Sequence, residues 1–125
     1  MTPLLLSALL WVAPLQERTN EHYDRGHELL GKGDLDGAIA AFTKSIELDP
    51  KHLASYNERG LARKKKYLLA EAVADFSRAI ELDRKSSAAY ANRCDAFRRL
   101  GRLDEAIKDG EKAVALDPSI PGPSY

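Results

Sequence analysis

The same residues return every 34 positions, three times over. Ala38, Ala72 and Ala106 share one phase, as do Arg25, Arg59 and Arg93. Leu35, Leu69 and Leu103 share another, followed by Leu48, Leu82 and Leu116 and by Asp49, Asp83 and Asp117. Ile46 and Ile80 are matched in register by Val114. A fixed period of this size marks a solenoid or an array, and two helical patterns per period predict a helix-turn-helix repeat. Such a chain is all-α and has no single enclosed core. Each unit buries its apolar face against its neighbours, which leaves a long open surface for a partner.

From Asn20 onward the apolar spacing is three and four, without the alternation of strands. It predicts helices over 20–32, 35–48, 53–66, 69–82, 87–100 and 103–116. Gly31-Lys32-Gly33-Asp34 and Leu100-Gly101-Arg102 mark turns inside the first and third units, where glycine takes positive φ. Asp49-Pro50 and Asp117-Pro118 mark the ends of second helices, since proline cannot continue an interior turn. The chain divides into an apolar N-terminal segment (1–18), three units (19–52, 53–86 and 87–118) and a Pro/Gly-rich tail (119–125).

The run Leu4 to Ala13 is uncharged, apolar and closed by Pro14. It is too short to span a bilayer, which takes about 20 residues. Its length suits the core of a secretory signal, although no Lys or Arg precedes it and Trp11 and Pro14 spoil a small-residue cleavage pattern. The alternative is a leading helix lying on the first unit. Residues 1–16 read as a signal imply an exported protein, periplasmic or secreted; otherwise the protein is cytoplasmic.

Lys plus Arg equals Asp plus Glu at 19 each, a balance unlike that of nucleic-acid-binding domains. The single cysteine, Cys94, excludes an intramolecular disulfide and a multi-thiolate metal site. His22 and His27 are five apart, off the three- or four-residue spacing that shares a helix face. No phosphate-binding loop or nucleophile elbow is present, so no catalytic, cofactor or metal residue is expected and the chain does not read as an enzyme.

The repeating positions resemble the tetratricopeptide repeat family. The first unit supplies Tyr23, Gly26, Leu29, Ala38, Phe42, Ser45 and Pro50, and the second Tyr56, Gly60, Ala72, Phe76 and Ala79. The third supplies Tyr90, Cys94, Phe97, Ala106, Ala113 and Pro118. The resemblance covers residues 19 to 118 and implies a right-handed superhelical stack acting as a protein-interaction scaffold. Four departures stand out. Arg84 takes the place of the usual proline, which predicts a second helix of unit two running on with less of a bend. Arg63 replaces a large apolar residue, Tyr67 replaces a turn glycine, and Gly110 replaces an aromatic and so weakens the last unit.

Charge is distributed unevenly. Residues 53–66 carry Arg59, Arg63, Lys64, Lys65 and Lys66 against Glu58, and 86–100 carry Arg93, Arg98 and Arg99 against Asp95. The second helices are all net acidic. In the family resembled, first helices line the concave groove, which makes this groove basic and the back acidic. The resemblance implies groove positions Asn20, Tyr23, His27 and Leu30, then Asn57, Leu61, Lys64 and Lys65, then Ala91, Asp95, Arg98 and Arg99. A concave surface of one sign concentrates ligands of the other, so the expected ligand is an acidic peptide. The bland alternative makes Lys64-Lys65-Lys66 a solvated helix end favoured by the helix dipole. Some members clamp the C-terminal carboxylate of cytosolic chaperones with two lysines, two asparagines and an arginine. Those positions read Tyr23, His27, Glu58, Ala88 and Asn92 here, which disfavours that role. The competing reading is a self-association module: a homodimer through residues 103–116, where Ala106, Ile107, Ala113 and Val114 are expected to be at least partly exposed. Nucleic acid and a transmembrane span are not expected.

Overall fold

The computed structural model describes residues 13–119. They form six helices, α1 (Leu15–Gly31), α2 (Leu35–Leu48), α3 (Leu53–Lys65), α4 (Leu69–Leu82), α5 (Ser87–Arg99) and α6 (Leu103–Leu116). Among the described residues there is no strand. Five of the six helices start where the apolar spacing puts them. The exception is α1, which begins at Leu15 instead of near residue 20. Pro14 is extended at φ −52° and ψ 149°, and its carbonyl accepts the Arg18 N–H at 3.1 Å. Proline therefore opens this helix, as its missing donor allows. Residues 1–12, with most of the apolar run, lie outside the described residues, and so does the tail from residue 120.

The turn inside each unit closes in one way. Gly33, Tyr67 and Gly101 take φ of 81°, 61° and 79°. The next residue's N–H then reaches back to close the helix: Asp34 to the Leu29 carbonyl, Leu68 to Arg63 and Arg102 to Phe97, each at 2.9 Å. This bond satisfies a carbonyl at the helix end. Tyr67 does so against the steric preference of an L-residue.

The expectation that unit two's second helix runs on past Arg84 is overturned. Helix α4 stops at Leu82, as α2 stops at Leu48 and α6 at Leu116. Aspartate ends all three helices. Asp49, Asp83 and Asp117 are extended, and their carboxylates accept the N–H two residues on at 3.1, 3.0 and 3.1 Å. An Asx turn of this kind needs no proline.

Consecutive helices pack against each other along the whole stack. The first helices also touch one another, α1 with α3 and α3 with α5, whereas α2, α4 and α6 do not meet. The stack is therefore tighter on the side of α1, α3 and α5, which is its concave side. Phe42 and Phe76, both fully buried, hold the first two units together. A Cβ added at Gly26 would stand 2.5 Å from the Phe42 ring, and one at Gly60 2.5 Å from the Phe76 ring. The glycines are thus required by close approach. In unit three Cys94 occupies the glycine position, sixteen residues before Gly110 as Gly26 is before Phe42 and Gly60 before Phe76.

The arginine period has a concrete cause. Arg59 grips buried Asp75 through Nε and Nη2 at 3.0 and 2.7 Å, while Nη1 donates to Thr43 Oγ1 of the preceding unit at 3.1 Å. Arg93 repeats this on Asp109 at 2.7 and 2.8 Å and on Ser77 at 3.1 Å. Arg63 adds a third bond to Asp75 at 2.9 Å, which explains a cation in an apolar slot. Arg25 meets Ala41 at the equivalent position and pairs instead with Glu28 at 3.2 Å.

The apolar face expected on α6 is largely covered. Ala106 and Ala113 are 2% and 1% exposed, and Ala106 packs with Cys94 and Phe97. Ile107 and Val114 are half-buried. Ala106 and Ala113 turn into the protein, so a homodimer through 103–116 loses most of the apolar face on which it rested.

Candidate functional site

Two side-chain clusters bridge neighbouring first helices on the concave side. At the α1 end, His27 Nε2 lies 3.5 Å from Glu58 Oε2 of α3. Tyr23 meets His27 and His52 edge-on, both with centroids 5.2 Å away, and rests on Phe42 at 5.8 Å. Phe42 is buried and forms the floor, whereas Tyr23 and His52 are half-buried and the His27 side chain is 53% exposed. The Tyr23 phenol is held above its usual range, first by burial and then by the charges of Glu58 and Asp24. This end of the groove is aromatic and carries a negative field.

His52 is held by a polar chain at the unit boundary. The Ser45 hydroxyl donates to the Thr19 carbonyl at 3.0 Å, and the Ser55 hydroxyl donates to Ser45 at 2.8 Å. Ser55 has one proton and has given it away, so His52 Nδ1, 2.7 Å distant, must donate to Ser55.

The second cluster lies between α3 and α5. Lys64 reaches Asp95 at 2.9 Å across the helix interface, Arg99 reaches it at 3.0 Å, and Arg98 pairs with it from one turn on. Burial alone would raise the Asp95 pKa, but the hydrogen bonds from Lys64 and Arg98 and the charges of Lys64 and Arg99 outweigh it and bring the pKa down to about 2. Three cations thus share one carboxylate. Lys64 is largely covered, while the Arg98 and Arg99 side chains are 50% and 44% exposed. Lys65 is exposed beside them.

The sequence-derived positions therefore fall into separate groups. Tyr23 and His27 come together with His52 and Glu58. Lys64, Arg98 and Arg99 come together through Asp95. Leu61 packs partly into the core against Ala72, Phe76 and Ala96, which limits what it can offer a ligand. Asn57 is half-buried, with a side-chain oxygen that has no partner. The cationic positions Lys64, Arg98 and Arg99 form a cluster braced by one acid, Asp95. Sequence reasoning placed Asp95 in the groove without its bracing role. The signal was available: Asp95 lies three and four residues before Arg98 and Arg99, the spacing of helix ion pairs.

No group of three metal-ligating side chains forms among the described residues, and no helix among them is long and apolar enough to cross a membrane.

Comparison with known proteins agrees with this fold. The pattern of the tetratricopeptide repeat matches residues 19–52, 53–86 and 87–120. The chain is similar to the second TPR domain of human RPAP3, solved in complex with the HSP70 peptide SGPTIEEVD. Identity is 31%, 86% of this chain and 89% of that one are covered, and the TM-score is 0.83. It is also similar to the first TPR of Spaghetti (RPAP3), bound to the HSP90 peptide SRMEEVD, at 29% identity, 83% and 82% coverage and a TM-score of 0.82. A further similar structure is the TPR2B domain of yeast Sti1 in its pHsp70 complex, at 27% identity, 83% coverage of each chain and a TM-score of 0.80.

Proposed function

This chain belongs to the tetratricopeptide repeat family of protein-interaction scaffolds, and we propose that it holds an acidic peptide segment of a partner protein in its concave groove. The observation that carries the reading is the exposed cationic surface of Lys65, Arg98 and Arg99 on the first-helix side, opposed to second helices that are all net acidic. Charge of one sign in a concavity raises the local concentration of the other and speeds association.

The similar TPR domains of RPAP3 are seen with peptides that end in Glu-Glu-Val-Asp. The family's carboxylate-clamp positions read Tyr23, His27, Glu58, Ala88 and Asn92 in this chain, so a terminal carboxylate finds no cation there. The cations sit further along the stack, which favours acidic side chains within a peptide over its C-terminus. Isothermal calorimetry with acidic, neutral and basic peptides of one length, each with free and amidated C-termini, tests this. Binding of the acidic peptides regardless of amidation is expected. Equal binding of the basic peptides would overturn the reading.

A further inference from the structure

We propose that the groove is bipolar, and that its α1 end receives a lysine side chain of the same peptide whose acidic residues meet Lys65, Arg98 and Arg99. The inference rests on the groove reading above and names the ligand's second anchor.

The α1 end has what an ammonium group needs. Glu58 presents a carboxylate whose side chain is 20% exposed and whose ion-pair contact is His27 at a loose 3.5 Å. Glu58 thus keeps acceptor capacity for a donor from the ligand. Beside it His27 meets Tyr23 edge-on, and Tyr23 in turn meets His52, over the Phe42 floor. A cation over such rings is attracted by their quadrupoles, more strongly where water is partly excluded. Asp24 lies close enough to act on the Tyr23 phenol, adding to the negative field. At the other end the single carboxylate of Asp95 is outnumbered by Lys64, Arg98 and Arg99. Opposite signs at the two ends of one groove fix the direction and register of a bound chain and repel a peptide laid in reverse.

The helices set the spacing. From Glu58 on α3 to Arg98 and Arg99 on α5 is one interhelix step of about 8–10 Å, with an offset along the helices of about six to seven residues at about 1.5 Å each. The two together span about 13 Å, and an extended peptide advances about 3.3 Å per residue, so roughly four residues separate the lysine from the acidic run.

The test uses N-acetylated, C-amidated fluorescent peptides, which remove both terminal charges. One carries lysine about four residues from three glutamates. A second replaces that lysine with glutamine. A third moves it next to the glutamates. Anisotropy should show the first binding about five- to tenfold tighter than the other two. Glu58→Gln, nearly isosteric, should erase the difference between the first and second peptides. The peptide comparison on the parent protein stands even if the variant folds poorly. If the glutamine peptide binds as tightly as the lysine peptide, or the lysine gain is independent of spacing, the bipolar groove is wrong and the acidic-peptide reading survives. If none of the three acidic peptides binds, both fail together.

Discussion

Cys94 faces Gly110 across the α5–α6 interface, the reverse of the glycine-to-phenylalanine contacts Gly26–Phe42 and Gly60–Phe76 in the first two units. Glycine on the first helix makes room for a ring on the second. In the third unit the larger residue has moved to the first helix and glycine to the second. Gly110 therefore has a packing partner in Cys94, whose thiol pKa is raised chiefly by burial.

The exchange predicts a coupling. Gly110→Phe alone should destabilise the protein by about 1–3 kcal/mol, because a ring would be driven into the Cys94 side chain. Adding Cys94→Gly should restore much of that loss. Urea melts of the four proteins in the double-mutant cycle measure it. Additive effects would mean that the two residues do not share one space.

Tyr67 holds a left-handed backbone with its side chain 75% exposed, so it gives up steric comfort without visible packing in return. Tyr67→Gly should raise stability by about 0.5–1 kcal/mol, the strain released less the entropy glycine gains when unfolded. A lowered midpoint would show that the tyrosine ring contributes more than its exposure suggests.

Asp109 is nearly buried and holds Arg93 through two bonds. Asp109→Ala should cost about 1.5–3 kcal/mol, since a half-buried guanidinium loses its charged acceptor. Asp109→Glu should recover part of that cost only if the longer side chain can reach Arg93. A shift below about 0.5 kcal/mol for the alanine variant would place the pair among ordinary surface ion pairs.

Asp95 links stability to pH. Its folded pKa of about 2 lies below the ordinary 3.8, so its contribution is complete above the ordinary value and fades as pH falls through the folded one. Asp95→Asn should melt lower than the parent near neutral pH, and the gap should close toward about pH 2. The same variant frees Lys64, Arg98 and Arg99 and should bind acidic peptides more tightly. A gap that stays constant with pH would disprove the linkage.

Much of the fold was legible because the period of 34 registers Ala38, Ala72 and Ala106 against each other, and few architectures use such a repeat. Helix starts at Leu35, Leu53, Ser87 and Leu103 were readable because turn residues precede each one, and the start at Leu69 because it shares the phase of Leu35 and Leu103. The start at Leu15 was not, since Pro14 reads equally as an end or an opening. The continuation through Arg84 was misjudged because proline drew attention from Asp83, whose carboxylate stops the helix. Partnerships between helices were the least legible part. The sequence shows that Lys64 and Arg98 share a phase, but only packing brings Lys64 to Asp95, or Glu58 to His27. The burial of Ala106 and Ala113 on α6 was missed for the same reason.

The central claim is that the exposed cations of the concave side recruit an acidic partner. Its most direct measurement is the affinity of the Lys65→Glu/Arg99→Glu double variant for a fluorescent acidic peptide. The affinity should fall at least about tenfold. Helix content and melting midpoint should stay within the small range usual for surface substitutions, about 0.5 kcal/mol. A double variant that binds the peptide as well as the parent would contradict the account and leave Lys65 and Arg99 as a solvated helix face.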